Sequence, residues 1–240
     1  ELSALIERWK AEYIYFFADT FLAWTDKEFQ SFVDMYATFK LPFWMQTRPE
    51  TITTEKVDAL REVNCHRVSI GIEHGNEDFR LKMINRRISN KELILRTNQM
   101  GSKIPVSVNN ITGFPTETRE LAFDTVRLNR ELKVDTMNCY TYTPYHGTQL
   151  RQKAIDLGYL DPNAITSSLT AGSVLDMPQY PRAEIHKVVK CFSLYARLPE
   201  TEWPRIKKAE ENTPEGDDQF AQLRDEYIAR YFNDGKATFG

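Results

Sequence analysis

Apolar residues come along this chain in short, strand-length runs, and between those runs they recur at helical spacing. Tyr13 to Ala18, Phe43 to Thr47, Arg67 to Ile72, Val106 to Ile111 and Met137 to Thr143 are runs of strand type. Glu1 to Lys10 reads as the end of a helix, with Leu2, Leu5, Ile6 and Trp9 on one face. No capping residue precedes it, so we expect the chain to begin inside an element. Thr25 and Glu28 form a capping box, a hydroxyl and a carboxylate that satisfy orphan amides, and open a helix through Phe39; Ser89 and Glu92 form a second box. Further helices begin near Thr53, Glu117 and Gly147, while Gly101 and Gly158 stand where helices should stop.

Five apolar strands alternating with helices predict an α/β fold, a parallel sheet covered by helices with right-handed connections. A barrel and an open sheet both satisfy the alternation. Asp19, Arg48, Glu73 with His74, Asn109 with Asn110, and His146 fall in or just beyond strand carboxyl ends, the edge where parallel α/β proteins bind ligands. From about Leu160 the rhythm changes. Pro162, Pro178, Pro181, Pro199, Pro204 and Pro214 break helical pieces such as Ala183 to Arg197 and Gln219 to Phe232. We therefore expect a strand-bearing domain over residues 1–160 and a helical appendage over 161–240, in which the aromatic positions form packing surface and Glu210 to Asp218 a solvated loop.

Composition narrows the function classes. The chain has 240 residues, 41% of them hydrophobic, enough for a sizeable core. Its 31 Lys and Arg against 34 Asp and Glu leave a net charge of −3, so no broad basic field indicates a nucleic-acid partner. No run approaches the roughly 20 apolar residues of a membrane span, and Glu1 to Trp9 lacks the pattern of a signal peptide, so a cytoplasmic location is expected. Cys65, Cys139 and Cys191 are odd in number, far apart, and form no metal-ligand spacing of their own. Nucleotide-binding loops and the Gly-x-Ser-x-Gly elbow are absent, and His66, His74, His146 and His186 never pair at helical ligand spacing.

The informative text is Gly71-Ile72-Glu73-His74-Gly75, Asn85-Arg86-Arg87, and Asn109-Asn110-Ile111-Thr112-Gly113-Phe114-Pro115-Thr116-Glu117-Thr118. With Phe17-Ala18-Asp19-Thr20-Phe21, Thr47-Arg48-Pro49 and Pro144-Tyr145-His146-Gly147-Thr148, it resembles the radical S-adenosylmethionine superfamily, in the branch that includes cobalamin-dependent members, from about Tyr13 to Leu160. The resemblance implies a partial, TIM-like (β/α) barrel of parallel strands with a helical carboxy-terminal appendage. It also implies an S-adenosylmethionine site: Asp19 beside the methionyl amino group, Gln46 and Glu73 near the ribose and sulfonium, and Arg86 on the methionyl carboxylate. Asn109 would serve the ribose, and the Gly113, Phe114 and Pro115 backbone the adenine. Arg48 and His146 are candidates to face substrate. Each has an ordinary alternative: Arg86 and Arg87 as solvated helix-end charges, Asn109 and Asn110 as strand-closing residues, Gly113 to Pro115 as a tight turn.

The resemblance further implies a 4Fe-4S cluster, a reductant such as flavodoxin or ferredoxin, a small-molecule or other substrate, and in some members cobalamin. The family's Cys-x-x-x-Cys-x-x-Cys is missing from this sequence. The expectation is therefore a truncated barrel that lacks its first strand and cluster motif, inactive by itself, with cluster and cobalamin held by residues outside it. Two rivals remain: a barrel using Asp19, Glu73, His74 and His146 on a divalent metal for hydrolysis or lyase chemistry, and a non-catalytic binding module.

Overall fold

The computed structural model describes residues 1–166 and 172–232. Five strands, β1 (Ile14–Phe16), β2 (Phe43–Thr47), β3 (Cys65–Glu73), β4 (Val106–Thr112) and β5 (Thr136–Thr141), form one parallel sheet in chain order. Gln46 stands opposite Ser69 in the β2–β3 register. Among the described residues β1 pairs with β2 alone and forms one edge of the sheet.

The helices are α1 (Leu2–Trp9), α2 (Asp26–Tyr36), α3 (Thr54–Glu62), α4 (Glu77–Ile84), α5 (Asn90–Gly101), α6 (Arg119–Arg130) and α7 (Gln149–Asp156), followed by α8 (Arg182–Arg197), α9 (Trp203–Ala209) and α10 (Pro214–Tyr231). The Thr25 capping box is formed in both directions, and Ser89 accepts from the Glu92 amide at 3.2 Å. These caps satisfy donors that an α-helix cannot pair internally.

The chain packs as two compact units: Glu1–Ile72 with Ile88–Asn109 and Leu132–Thr136, and Glu73–Arg87 with Asn110–Glu131 and Met137–Gly240. In the first unit, Phe16, Phe32, Tyr36 and Phe43 form an aromatic cluster. Its rings meet mainly edge to face; Tyr36 and Phe43 are 4.8 Å apart and Phe32 stacks on Tyr36 at 5.3 Å. In the second unit the carboxy-terminal helices are tied in through Glu210. That carboxylate is fully buried and accepts from Arg119 Nη2 (2.5 Å), Tyr195 Oη (2.9 Å) and Lys207 Nζ (2.8 Å).

Several sequence expectations change here. Glu210 is a buried anchor and Pro214 the first residue of α10, so the stretch to Asp218 is no solvated loop; three donors compensate the cost of burying the carboxylate. The helix from Thr25 ends at Tyr36. Helix α4 was not anticipated, because its apolar residues Phe79, Leu81, Met83 and Ile84 do not keep to one face. Gly101 ends α5 without a left-handed cap: a Cβ there would stand 2.3 Å from the Lys133 carbonyl oxygen, so close backbone approach explains the glycine. Gly158, at φ +72, does take the left-handed conformation past α7.

Candidate functional site

Alternation along the strands sorts the residues at their carboxyl ends onto two faces. On β2, Trp44 and Gln46 share one face and the buried Phe43, Met45 and Thr47 the other. On β3, Arg67, Ser69, Gly71 and Glu73 alternate with the buried Val68, Ile70 and Ile72. On β4, Ser107, Asn109 and Ile111 alternate with Val108, Asn110 and Thr112. Gln46, Glu73 and Asn109 thus each belong to the polar series of their own strand. Toward the amino ends, the polar series is stitched by hydrogen bonds from Trp44 Nε1 to Ser69 (2.9 Å), Arg67 Nη1 to Ser107 (3.0 Å) and Thr136 to Ser107 (2.7 Å).

In the first unit, the segment after β1 is pinned to the end of β2. Thr47 Oγ1 accepts from the Leu22 amide at 3.3 Å, and Lys56 Nζ donates to the Leu22 carbonyl at 3.1 Å. Asp19 lies exposed just before this segment, Gln46 is half-buried, Arg48 is exposed ahead of a single 3-10 turn, and Asn109 is half-buried. Asn110 is fully buried and answers a different need: its amide and that of Asn129 donate to each other's oxygens at 3.1 and 2.8 Å, within the second unit. Asn110 lies inside β4 and spends its side chain on these bonds.

In the second unit, β3 ends in a turn under tension. Glu73 has φ +68, a left-handed backbone that costs a non-glycine residue about 1 kcal/mol or more. The next residues over-determine it. The His74 carbonyl accepts from Arg80 Nη1 at 2.6 Å, the Gly75 amide donates to Thr125 Oγ1 at 2.9 Å, and the Asn76 amide donates to His74 Nδ1 at 3.1 Å. A Cβ on Gly75 would stand 2.2 Å from the Asp124 carbonyl, so that glycine serves close packing against α6. The Glu73 side chain keeps 25% exposure beside the buried Arg86, whose Nη1 is 3.4 Å from Oε1; Arg87 is exposed.

The turn after β4 is built around Glu117, which is fully buried. Oε2 accepts from the amides of Gly113 (2.5 Å) and Phe114 (2.9 Å), while Oε1 accepts from Thr112 Oγ1 and His74 Nε2, both at 3.1 Å. Four donors compensate a carboxylate that could not otherwise be buried. Gly113 (φ +86) and Thr116 (φ +71) bend the chain to bring those amides onto the carboxylate. Sequence reasoning took Glu117 for a helix start. The helix begins two residues later, and no local pattern announces a partner 43 residues away.

His74 has both ring nitrogens engaged. Nδ1 accepts from a backbone amide, which can only donate, so Nε2 carries the proton given to Glu117. That leaves no lone pair for a metal. With His146 exposed, and with no group of three or more His, Cys, Asp or Glu among the described residues placed to hold a metal ion, the divalent-metal reading loses its site. The cysteines do not fit a 4Fe-4S cluster either. They stand at the start of β3, inside β5 and on α8. Burial pushes the Cys65 and Cys191 thiols up to about 12 and Cys139 well above its ordinary value, the opposite of what thiolate ligands need.

A five-stranded parallel sheet in chain order, alternating with helices, is an α/β partial barrel. Residues 1–128 match the profile of the Radical SAM superfamily, and the chain belongs to that superfamily, whose enzymes use S-adenosylmethionine and a 4Fe-4S cluster. A stretch of 105 residues, 42% of this chain, is 31% identical to the ribosomal protein uS12 methylthiotransferase RimO of Lachnoclostridium phytofermentans, of which it spans 24%. The chain thus matches about a quarter of that relative's length. Its fold is similar to coproporphyrinogen III oxidase (HemN) from Escherichia coli, with TM-score 0.59 and 14% identity over 83% of this chain and 46% of that one. It is likewise similar to the cobalamin-dependent S-adenosylmethionine radical enzyme OxsB, with TM-score 0.59 and 11% identity over 96% of this chain and 40% of that one.

Proposed function

We propose that this chain supplies S-adenosylmethionine-holding residues of a radical enzyme that modifies its substrate by group transfer of the methyl or methylthio kind. The observation that carries the reading is the pair of sharply bent turns in the second unit, one presenting a partly exposed carboxylate, Glu73, beside Arg86, the other holding the buried Gly113, Phe114 and Pro115 backbone in one conformation through Glu117. That donor set fits the ligand: a carboxylate accepts from ribose hydroxyls and tolerates a sulfonium, and a guanidinium suits the methionyl carboxylate. The Gly113 to Pro115 backbone would take the adenine. By the family resemblance alone, Gln46 and Asn109 are candidate ribose contacts, Asp19 a candidate for the methionyl amino group, and Arg48 and His146 candidate substrate contacts.

Bound at a reduced 4Fe-4S cluster, S-adenosylmethionine supplies a 5'-deoxyadenosyl radical. The cluster ligands belong, in this proposal, to residues outside this chain, and cobalamin is a further carrier that the parent protein would hold outside it. Methylthio transfer is favoured by the 31% identity to a methylthiotransferase. The test is turnover by the protein extended to include a three-cysteine motif. Anaerobic reduction should release 5'-deoxyadenosine, and Glu73→Ala or Arg86→Ala should lower the rate by about tenfold or more through lost ligand placement. Turnover indifferent to both substitutions would defeat the assignment.

A further inference from the structure

His74 is placed where it can govern the ligand turn without touching a ligand. Its carbonyl and ring hold the strained end of β3, through Arg80 (2.6 Å) and the Asn76 amide (3.1 Å), and Nε2–H reaches the carboxylate on which the Gly113 and Phe114 amides close. Thr112 Oγ1 gives its proton to the same Oε1, so it accepts from Tyr180 Oη, 3.3 Å away. The result is a directed chain from Tyr180 through Thr112 to Glu117, met from the other side by His74. All four side chains are buried. A buried polar network of this kind specifies one conformation because each alternative strands a donor.

We propose that His74 is a positioning residue: by donating to Glu117 it sets the backbone of the Gly113 to Pro115 turn and locks it to the Glu73 turn as one rigid piece. The inference rests on the S-adenosylmethionine reading for its ligand consequence, but its structural content stands without it. Removing the Nε2 donor costs Glu117 one of four hydrogen bonds and lets the carboxylate rotate away from the two amides. His74→Phe keeps the ring contact with Phe79, at 4.5 Å, and loses both hydrogen bonds. His74→Gln keeps an amide N–H able to reach Glu117.

The experiment is hydrogen exchange of the Gly113 and Phe114 amides in the full chain and its variants, followed by titration with S-adenosylhomocysteine read at the same amides. Expected for His74→Phe is about tenfold faster exchange at both amides and about tenfold weaker ligand binding, the effect of one hydrogen bond to a charged group. His74→Gln should restore most of both, while amides in the aromatic cluster of the first unit should not change in either variant. If His74→Phe unfolds, His74→Gln and Thr112→Val, which removes the neighbouring donor, keep the test alive, each with a smaller change at the same two amides. Unchanged exchange at Gly113 and Phe114 in a folded His74→Phe protein would overturn the proposal, as would equal loosening throughout the chain. If exchange follows the pattern but the ligand perturbs neither turn in the unsubstituted chain, the positioning role stands and the S-adenosylmethionine reading falls.

Discussion

The aromatic cluster of the first unit, with Phe32, Tyr36 and Phe43 buried, and the buried Glu117 hub of the second are held by different physics. Phe16, Phe32, Tyr36 and Phe43 gain by leaving water and by packing rings at 4.8 to 6.0 Å, a contribution that depends on volume more than direction. Glu117 instead depends on four donors with fixed directions, three of them from the β4 end and one from His74. A cluster of the first kind forgives a conservative change of shape. The second kind does not forgive even an isosteric change of charge, and backbone at φ +68, +86 and +71 persists only where such constraints hold it. The turns with left-handed backbone accordingly stand beside the Glu117 hydrogen bonds.

That contrast can be broken most directly at its centre. Glu117→Ala leaves two amides, a hydroxyl and an imidazole without their acceptor in a site closed to water, and should destabilise the protein by about 3–5 kcal/mol in urea unfolding. Glu117→Gln, nearly the same shape, should still cost about 2 kcal/mol or more, because its amide group turns a donor toward donors. In the aromatic cluster, Phe32→Ala should cost about 3 kcal/mol, but Phe32→Leu only about 1 kcal/mol. If Glu117→Gln proves as mild as Phe32→Leu, the directional account of the hub is wrong.

A smaller effect of opposite sign sharpens the same point. Thr116 is β-branched at φ +71, so Thr116→Gly should relieve strain and stabilise the protein by about 1 kcal/mol, seen as a higher urea midpoint. A lower midpoint would mean that Thr116 makes contacts worth more than the strain.

The fold was legible in the sequence to a useful depth, because strands betray themselves by contiguous apolar runs and helices by their caps. All five strands, their parallel order and the Thr25 and Ser89 caps could be read from local pattern. What escaped was non-local. Glu210 looked solvated because its neighbours in sequence are acidic, but its donors Arg119 and Tyr195 lie 91 and 15 residues away. His74 and Glu117 were each visible inside a motif, while the bond between them joins the ends of two strands and has no one-dimensional signature. Gly75 and Gly101 show the same limit: each is demanded by a backbone approaching from a distant segment. Glu73 and Gly113 were singled out by resemblance; their positive φ values, +68 and +86, have no signature in spacing.

Titration gives the mildest probe. The Cys65 thiol is pushed from its usual 9.0 up to about 12 by burial, so the folded protein holds that proton more tightly than the unfolded chain does. The resulting stability is fully present below about pH 9 and lost as pH rises toward 12. Cys65→Ala should flatten that alkaline loss, measured as urea midpoint against pH; an unchanged slope would show that Cys65 does not contribute to it.

The proposal that the turns after β3 and β4 hold S-adenosylmethionine can be read at single residues by amide NMR of the chain during titration with that ligand. Saturable shifts are expected at Glu73, His74, Gly113 and Phe114, weakened about tenfold or more by Glu73→Ala, with the amides of Phe32 and Tyr36 unmoved. Saturable shifts that fall elsewhere and leave those four amides untouched would contradict it.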